Sequence, residues 1–264
     1  MNRCSFPFRT RCAGFILLFA WLCLPAEGVA QAWPEGLPRK PEAEAIRVEF
    51  GSIQIDGRLD DEGWSSIAPE TQFRELRPVP FALPKQQTEV RFAYDDRALY
   101  VGARMWDTAP DSILHQLIQR DGDGNTDVFG IWFNCFDDGV NGVRFSVTPD
   151  GVQSDELLSN DDADGSWNAV WQAECRIDDR GWVAEFALPW SVFRFNDSGD
   201  APQNWGMNFY RYIRRYRSDY VWRAMDPNQE GLMNQGGLLT GIQGITPCLF
   251  YTSPSPRDGT KSRM

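Results

Sequence analysis

The sequence predicts an all-β protein, an antiparallel β-sandwich of the jelly-roll-like kind with a few short helices. Apolar and polar residues alternate in most segments, which is typical of strands that bury one face. These segments are short, and turn sequences such as YDDRA, DDGVNG and TPDGV separate them. Segments with helical periodicity are few. Many short strands with little helix favour two sheets packed around one core.

The first 32 residues have the pattern of a secretory signal peptide. Three arginines precede an apolar run at residues 12–24, and Ala30-Gln31-Ala32 is a small-residue cleavage signal. We therefore expect an exported protein, located in the periplasm, in the outer membrane or outside the cell. Residues 33–45 are rich in proline and charge and predict an irregular linker. The sandwich is expected over residues 46–247.

The C-terminal segment 248–264 has neither helical nor strand periodicity. It resembles the translation of a common sequencing-library adapter, and we expect it to be a non-native tail. The native gene is then expected to continue past Pro247. A natural flexible tail is the alternative.

Composition restricts the partners. The formal net charge is −11, which argues against nucleic acid because phosphate contacts require Lys and Arg. Of the six cysteines, only Cys135 and Cys175 lie outside the predicted signal and tail. In an exported protein these two thiols are able to pair, but two cysteines do not make a disulfide framework.

Alternation assigns the faces of the clearest strands, at residues 88–95, 98–106, 127–134 and 142–149. The residues predicted to face the core are Val90, Phe92, Tyr94, Leu99, Val101, Ala103, Met105, Phe129, Ile131, Phe133, Val143, Phe145 and Val147. Two short helical segments are predicted between strands. One carries Trp64 after a cap at Asp60 or Asp61, and the other spans two turns at residues 109–118.

Residues 166–190 contain four tryptophans. The alternation around Trp171 and Trp182 predicts an antiparallel hairpin with both rings in the core. Trp190 follows a proline and is expected to anchor a short helical turn. Trp167 lies in a polar loop and is the best candidate of the four for a platform that stacks a ligand.

A second candidate surface is formed by the outward-facing residues of the predicted strands. Its members are Arg91, Tyr100, Arg104, Trp106, Trp132, Arg144, Tyr210, Tyr212 and Arg214. Aromatic rings cover the apolar face of a sugar, and guanidinium groups donate hydrogen bonds to its hydroxyls. The alternative is a sheet face covered by another part of the protein.

Several segments in this order resemble the family-9 carbohydrate-binding modules. They are IQIDGRLDDEGW (53–64), TEVRFAYDDRALYVGARMWD (88–107), TDVFGIWFN (126–134), GWVAEFALPW (181–190) and WGMNFYR (205–211). The resemblance implies a β-sandwich that binds carbohydrate. The sequence is most similar to a bacterial exported family in which this module precedes a region resembling an outer-membrane β-barrel, and that barrel is a second expected partner.

The resemblance also has gaps. The sugar-binding modules place a stacking tryptophan just before the residue that Asp127 matches, where this chain has GDGNT. They place an arginine on the following strand, where this chain has Ser146. Trp222, followed by Asp226-Pro227, resembles their late W.DP element. The predicted ligand-binding residues are Arg104, Trp106, Trp132, Trp167 and Trp222.

The sequence DGDGNTD supplies oxygen ligands at alternate positions, as calcium loops do. The candidate ligands are Asp121, Asp123, Asn125 and Asp127. An EF-hand is not expected, because Thr126 replaces the usual glycine and Trp132 stands where a glutamate would close the site. A structural Ca²⁺ site and a solvated turn both remain open.

Catalysis is not expected within this segment. The single histidine, His115, argues against zinc chemistry with several histidine ligands, and any serine triad would have to be built around it. No pair of acidic residues is marked by an apolar cleft pattern, and any hydrolysis of O-glycosyl bonds would fall to an associated domain. The sequence thus predicts a non-catalytic carbohydrate-binding module linked to polysaccharide catabolism. The alternatives are a scaffold domain of a truncated outer-membrane β-barrel protein and a glycoside hydrolase fragment.

Overall fold

Short strands account for most of the chain in the computed structural model, which describes residues 33–159, 162–199, 201–226 and 228–247. Within these ranges the strands are β1 (Glu42–Glu44), β2 (Ile46–Arg47), β3 (Arg74–Arg77), β4 (Thr88–Tyr94), β5 (Ala98–Trp106), β6 (Val128–Asn134), β7 (Asn141–Val147), β8 (Gln153–Ser159), β9 (Asp162–Asp164), β10 (Gln172–Asp178), β11 (Gly181–Pro189), β12 (Gln203–Ile213), β13 (Ser218–Val221) and β14 (Gly237–Ile242). One short helix, α1, spans Glu62–Ser65. Single 3-10 turns lie at Pro110–Ser112, Trp190–Val192, Arg214–Tyr216 and Met233–Gln235.

The strands form two sheets. Sheet A contains the order β1-β14-β12-β6-β7-β8-β9, with β13 paired to β12 and β3 paired to β13. Sheet B has the order β10-β11-β5-β4-β2. The predicted all-β sandwich is confirmed. It departs from a purely antiparallel arrangement at two edges, where β1 runs parallel to β14 and β2 runs parallel to β4.

The inner faces of the two sheets form one apolar core. Every residue predicted to face inward between Val90 and Val147 is buried in it. Rings from opposite sheets meet in this core, such as Phe129 and Phe186, whose centroids are 5.8 Å apart. Complete burial of one such side chain contributes about 1.5–3 kcal/mol to stability. Alternation therefore assigned the core correctly.

The tryptophans of residues 166–190 belong mainly to the core. Trp171 and Trp182 are buried, as predicted, and β10 and β11 form the expected hairpin. The Trp171 ring lies against Phe145 at 5.2 Å between centroids. Trp190 begins the predicted helical turn, and its indole donates a hydrogen bond of 3.0 Å to the carbonyl of Asp95.

A buried carboxylate anchors the chain segment 56–64 across the outer face of sheet B. Glu185 is fully buried, and its Oε2 accepts hydrogen bonds from the backbone N–H groups of Asp56, Gly57 and Arg58 at 3.1, 2.8 and 3.0 Å. Its Oε1 accepts from Trp64 Nε1 at 2.9 Å. Because all four bonds end on one carboxylate, Glu185 fixes both the loop and helix α1 to the sheet.

We expect the protein to be more stable at pH 5 than at pH 8. Burial raises the pKa of Glu185 from 4.5 to about 7, while its hydrogen bonds act in the opposite direction. The folded state therefore holds this proton more tightly than the unfolded chain. The resulting stabilisation is complete below pH 4.5 and is lost as the pH rises towards 7.

Thermal denaturation at the two pH values tests this expectation. The melting temperature should be higher at pH 5, and the difference should shrink in the Glu185→Gln variant, which does not titrate. An equal pH effect in the protein and the variant would show that Glu185 is not the group responsible.

Three local features differ from the sequence predictions. Glu42–Glu44 form strand β1, although residues 33–45 were predicted to be irregular, because Ala43 and Ala45 are small enough to be buried at the sheet edge. At residues 109–118 only the single turn Pro110–Ser112 is helical. Asp61 caps helix α1 without a side-chain bond to the helix, since its carboxylate accepts from Gln54 N instead.

The two candidate disulfide partners are separate thiols. Cys135 follows β6 of sheet A and Cys175 lies in β10 of sheet B, and both are free. Burial raises the pKa of each thiol above its ordinary value. In the described part of the chain, no helix has the length and hydrophobicity required to cross a bilayer. The predicted signal and tail, at 1–32 and 248–264, lie outside the described residues.

Candidate functional site

The outward-facing residues predicted to form one ligand surface lie on two different faces of the sandwich. Arg91, Tyr100, Arg104 and Trp106 belong to β4 and β5 of sheet B. The other predicted members lie on sheet A or in the turn after it; they are Trp132, Arg144, Tyr210, Tyr212 and Arg214. The single predicted surface is therefore wrong, because the chain passes from sheet B to sheet A between β5 and β6.

The larger groove lies on the outer face of sheet A and has a volume of about 590 Å³. We call it the sheet A groove. It lies over β12, β6, β7 and β8, and it is bordered by the loop 121–126 and by residues of β3 and β13. Its main side chains are Tyr210, Tyr212, Arg214, Arg144, Glu156, Ser146, Arg77 and Asp219.

An aromatic ring forms the floor of this groove. Tyr210, Gly130, Ser146 and Ser154 occupy one row across four adjacent strands. A Cβ placed on Gly130 would lie 2.5–2.6 Å from atoms of the Tyr210 ring. The ring therefore lies directly over Gly130. Any residue with a side chain at position 130 would clash with it. Burial raises the pKa of Tyr210, so its hydroxyl stays protonated at neutral pH.

Charged pairs form the sides of the groove. Arg144 of β7 is paired with Glu156, its direct neighbour on β8. Arg77 of β3 donates to Asp219 of β13 at 2.8 Å. Both pairs are partly exposed, so each contributes little to stability. They instead present hydrogen-bond donors and acceptors beside the tyrosine floor.

Tyr212 and Arg214 form the end of the groove next to the loop 121–126. Arg214 Nη1 donates to the hydroxyl of Tyr212 at 3.1 Å, and Arg214 Nε donates to Asn125 Oδ1 at 2.8 Å. The Arg214 guanidinium lies 5.9 Å from the centre of the Tyr212 ring. These contacts hold the ring in place while leaving it partly exposed.

The charges of the sheet A groove balance. Four arginines line it, Arg77, Arg144, Arg214 and Arg217, and so do four acidic residues, Asp121, Asp123, Glu156 and Asp219. A groove with two tyrosine rings, several fixed hydrogen-bonding groups and no net charge suits an uncharged polyhydroxylated ligand.

Two of the predicted ligand-binding tryptophans are covered. Trp132 points outward from β6, but it is only 2% exposed because Leu158 and Met233 pack against it. Trp222 is 3% exposed and stacks on Phe209, with centroids 4.9 Å apart and planes at 16°. Its indole donates to Glu70. Neither ring is available as a platform, so these two assignments are wrong.

The other predicted ligand-binding residues lie outside the sheet A groove. Trp167 is half-buried and packs against Phe145, with 5.9 Å between ring centroids. Arg104 and Trp106 line a separate groove on the outer face of sheet B. Arg104 binds Asp178 through two hydrogen bonds of 2.6 and 2.7 Å, and it lies over the Trp106 ring.

The four predicted calcium ligands have different surroundings. Asp121 and Asp123 are exposed at the groove rim, and Asp121 accepts from the backbone N–H of Asp155 at 3.0 Å. Asn125 binds Arg214. Asp127 is fully buried and accepts from the backbone N–H of Arg214 at 2.9 Å. Among the described residues, no group of three or more His, Cys, Asp or Glu is placed to hold a metal ion. Calcium binding stays a prediction from the loop spacing.

Asp127 belongs to a buried charged cluster at one end of the core. Arg211 is fully buried, and its Nη1 donates to the carbonyls of Gln87 and Trp106, each at 2.9 Å. Its Nη2 lies 3.6 Å from Asp107. Burial raises the pKa of Asp127 to about 6, although the Arg214 amide and the nearby arginines oppose this. The cluster ties β12 to β5 and has a structural role.

Sequence reasoning missed several residues of the sheet A groove. Ser154 and Glu156 alternate with the buried Asp155 on β8, so the outward face of this strand was available from the sequence. Arg77 and Asp219 come from β3 and β13, which pair only through long-range folding. No local pattern indicates that these two residues meet.

Comparisons with known proteins show that this sandwich is similar in fold to solved carbohydrate-binding modules. No family model and no curated protein matches the sequence. Solved structures do match. A family-9 carbohydrate-binding module from Caldicellulosiruptor kristjanssonii, solved with cellotriose, covers 78% of this chain and 94% of its own length, with 14% identity and a TM-score of 0.52.

Two further structures give the same result. The Caldicellulosiruptor kristjanssonii module in complex with glucose matches with 13% identity and a TM-score of 0.51, covering 81% of this chain and all of that chain. A protein from Bacteroides uniformis that is proposed to bind carbohydrate matches with 12% identity and a TM-score of 0.57, covering 77% of this chain and all of that chain. The chain therefore has a fold like that of the family-9 modules, as the sequence resemblance implied.

Proposed function

We propose that this protein is a non-catalytic module that binds a neutral oligosaccharide or polysaccharide in the sheet A groove. The observation that carries the proposal is the Tyr210 ring lying over Gly130, with Tyr212 beside it and paired charges on both sides. The tyrosine rings offer surface to the C–H face of a sugar, and the charged pairs offer hydrogen bonds to its hydroxyls. The similar structures solved with cellotriose and glucose support this ligand class.

The arrangement of carboxylates in the groove favours binding over hydrolysis. A glycosidase needs one carboxyl group free to donate a proton and a second that attacks or activates water. Here Glu156 is paired with Arg144, Asp219 with Arg77 and Asp121 with Arg120, which leaves Asp123 as the one carboxylate without such a pair among the described groove residues. The paired carboxylates are suited to accept hydrogen bonds from sugar hydroxyls, and no second unpaired carboxylate is available beside Asp123 among these residues. We propose that this module binds carbohydrate as part of an exported protein involved in polysaccharide catabolism. The signal-like sequence of the first 32 residues supports export.

Replacing Tyr212 by alanine should weaken carbohydrate binding by between about two- and tenfold. The change removes a partly exposed ring of the groove, and a ring contact on the scale of an aromatic pair contributes about 0.5–1.5 kcal/mol. Isothermal titration with cellotriose, glucose and a panel of neutral oligosaccharides measures the effect.

The matched control is Tyr216→Ala, which removes a partly exposed tyrosine outside the groove. It should leave the affinity unchanged. If no neutral glycan binds the unmodified protein, or if both variants bind it equally well, the groove is not a sugar site. The scaffold alternative would then be favoured.

A further inference from the structure

The outer face of sheet B carries a second groove, of about 500 Å³, with a different charge. We call it the sheet B groove. Five arginines line it, Arg58, Arg91, Arg104, Arg176 and Arg180, against three acidic residues, Asp60, Glu89 and Asp178. The whole chain has a net charge of −11. The groove therefore has a positive charge, whereas the chain as a whole has a negative one.

Two of these arginines are neutralised by partners within the groove. Arg104 is bound to Asp178 by two hydrogen bonds, at 2.6 and 2.7 Å. Arg91 donates to Glu89 at 3.2 Å and to the carbonyl of Ile67 at 3.1 Å. These pairs form part of the sheet surface, and their charges are already compensated.

The other three arginines are weakly compensated or not compensated. The guanidinium groups of Arg58 and Arg176 have no hydrogen-bond or ion-pair partner among the described residues. Arg180 lies 3.9 Å from Asp179, both of these side chains are largely exposed, and Arg180 also interacts with the charge of Asp178. With five arginines against three acidic residues, the groove keeps an excess of positive charge that a bound anion would offset.

The fold holds these arginines together. A Cβ placed on Gly57 would lie 3.1 Å from the Cβ of Arg176, so the backbone that carries Arg58 passes directly over β10. Glu185 fixes this backbone through its bonds to residues 56–58. The Arg180 guanidinium lies 5.4 Å from the centre of the Trp106 ring. The anchored backbone thus brings the attachment points of Arg58 and Arg176 together, and Trp106 positions Arg180 at the same groove.

Trp106, rather than the buried Val183, supplies apolar surface beside these charges. Val183 is the outward residue of β11 between Arg176 and Arg104 in the cross-strand row. Trp106 borders the same space and is partly exposed. Guanidinium groups recognise a carboxylate through paired hydrogen bonds, and apolar and aromatic surface covers the face of a sugar ring.

We propose that the sheet B groove binds a carboxylated sugar, such as a uronate residue of an acidic glycan, with Arg58, Arg176 and Arg180 as ligands of the carboxylate. This site is separate from the sheet A groove, and its ligand class is different because the two grooves differ in charge. The two sites together would let one module bind a neutral and an acidic glycan on opposite faces.

Titration with trigalacturonate and with cellotriose tests the proposal. Both ligands contain three hexose units, but only trigalacturonate carries carboxylates. The unmodified protein should bind trigalacturonate, and the affinity should fall as the salt concentration rises. The double variant Arg58→Gln, Arg176→Gln should bind it about tenfold or more weakly, since two charge-assisted hydrogen-bond donors are lost.

The control is the double variant Arg97→Gln, Arg194→Gln, which makes the same change in net charge at exposed positions outside both grooves. It should keep the affinity of the unmodified protein. Absence of trigalacturonate binding, or equal losses in the two double variants, would overturn the proposal. Tighter binding of a sulfated trisaccharide of equal charge would overturn the carboxylate assignment.

The proposal fails or succeeds independently of the sheet A groove. The Tyr212→Ala variant should retain full affinity for trigalacturonate, while the Arg58→Gln, Arg176→Gln variant should retain full affinity for cellotriose. Loss of both ligands in one variant would indicate a single shared site and would contradict the assignment of two grooves.

Discussion

Replacing Glu185 by alanine is expected to lower the free energy of unfolding by about 3–5 kcal/mol. The truncation leaves the N–H groups of three consecutive residues and the Trp64 indole without their acceptor in a mostly buried place. Each unsatisfied buried donor costs about 1–3 kcal/mol, although water can reach part of this loop and reduces the total. Urea denaturation at pH 8, where Glu185 is largely ionised, measures the loss.

Two variants make the test specific. Glu185→Gln keeps the side-chain volume and one acceptor oxygen, so its loss should be smaller than that of the alanine variant. Glu174→Ala removes an exposed glutamate directly opposite Glu185 on the neighbouring strand, and it should change stability by no more than about 0.5 kcal/mol. Similar losses for Glu174→Ala and Glu185→Ala would mean that the anchor does not stabilise the fold.

Trp205→Ala should destabilise the protein by about 3–5 kcal/mol. Trp205 is fully buried on β12, and its ring lies within 5.0–6.3 Å of four other rings, those of Phe133, Trp190, Phe193 and Phe195. Removing it leaves a cavity that these large, mutually packed rings cannot fill by small movements. Chemical denaturation followed by circular dichroism gives the change in unfolding free energy.

The control for Trp205→Ala is Trp167→Ala. Trp167 is only half-buried and packs at the edge of the same core. This change should cost less than half as much, because part of the cavity opens to solvent. Equal costs at the two positions would contradict the distinction between a core ring and a peripheral one.

Strand alternation was sufficient to predict the core because it depends only on neighbouring residues in one strand. The same rule also applied to Asp127, which shares its parity with Phe129 and Ile131 and is buried with them. Parity thus predicts the burial of Asp127, while calcium binding by this loop stays a prediction from the spacing of its oxygen atoms.

Alternation could not predict which outward residues share a surface. Arg104 and Arg144 both point away from the core, but they belong to different sheets. Trp132 also points outward, yet the turn at Met233–Gln235 brings Met233 over it from far along the chain. Such covers depend on long-range contacts, for which local sequence contains no signal. The candidate site was thus predictable in residue type but not in position.

The parallel pairing of β1 with β14 determines how this body resists being pulled. Glu42 lies beside Leu238 and Glu44 lies beside Thr240, so the first and last strands of the described residues run side by side in the same direction. Tension between residues 42 and 242 would slide the two strands past each other along their length. The hydrogen bonds between the two strands would then be loaded in shear and would break together rather than one after another.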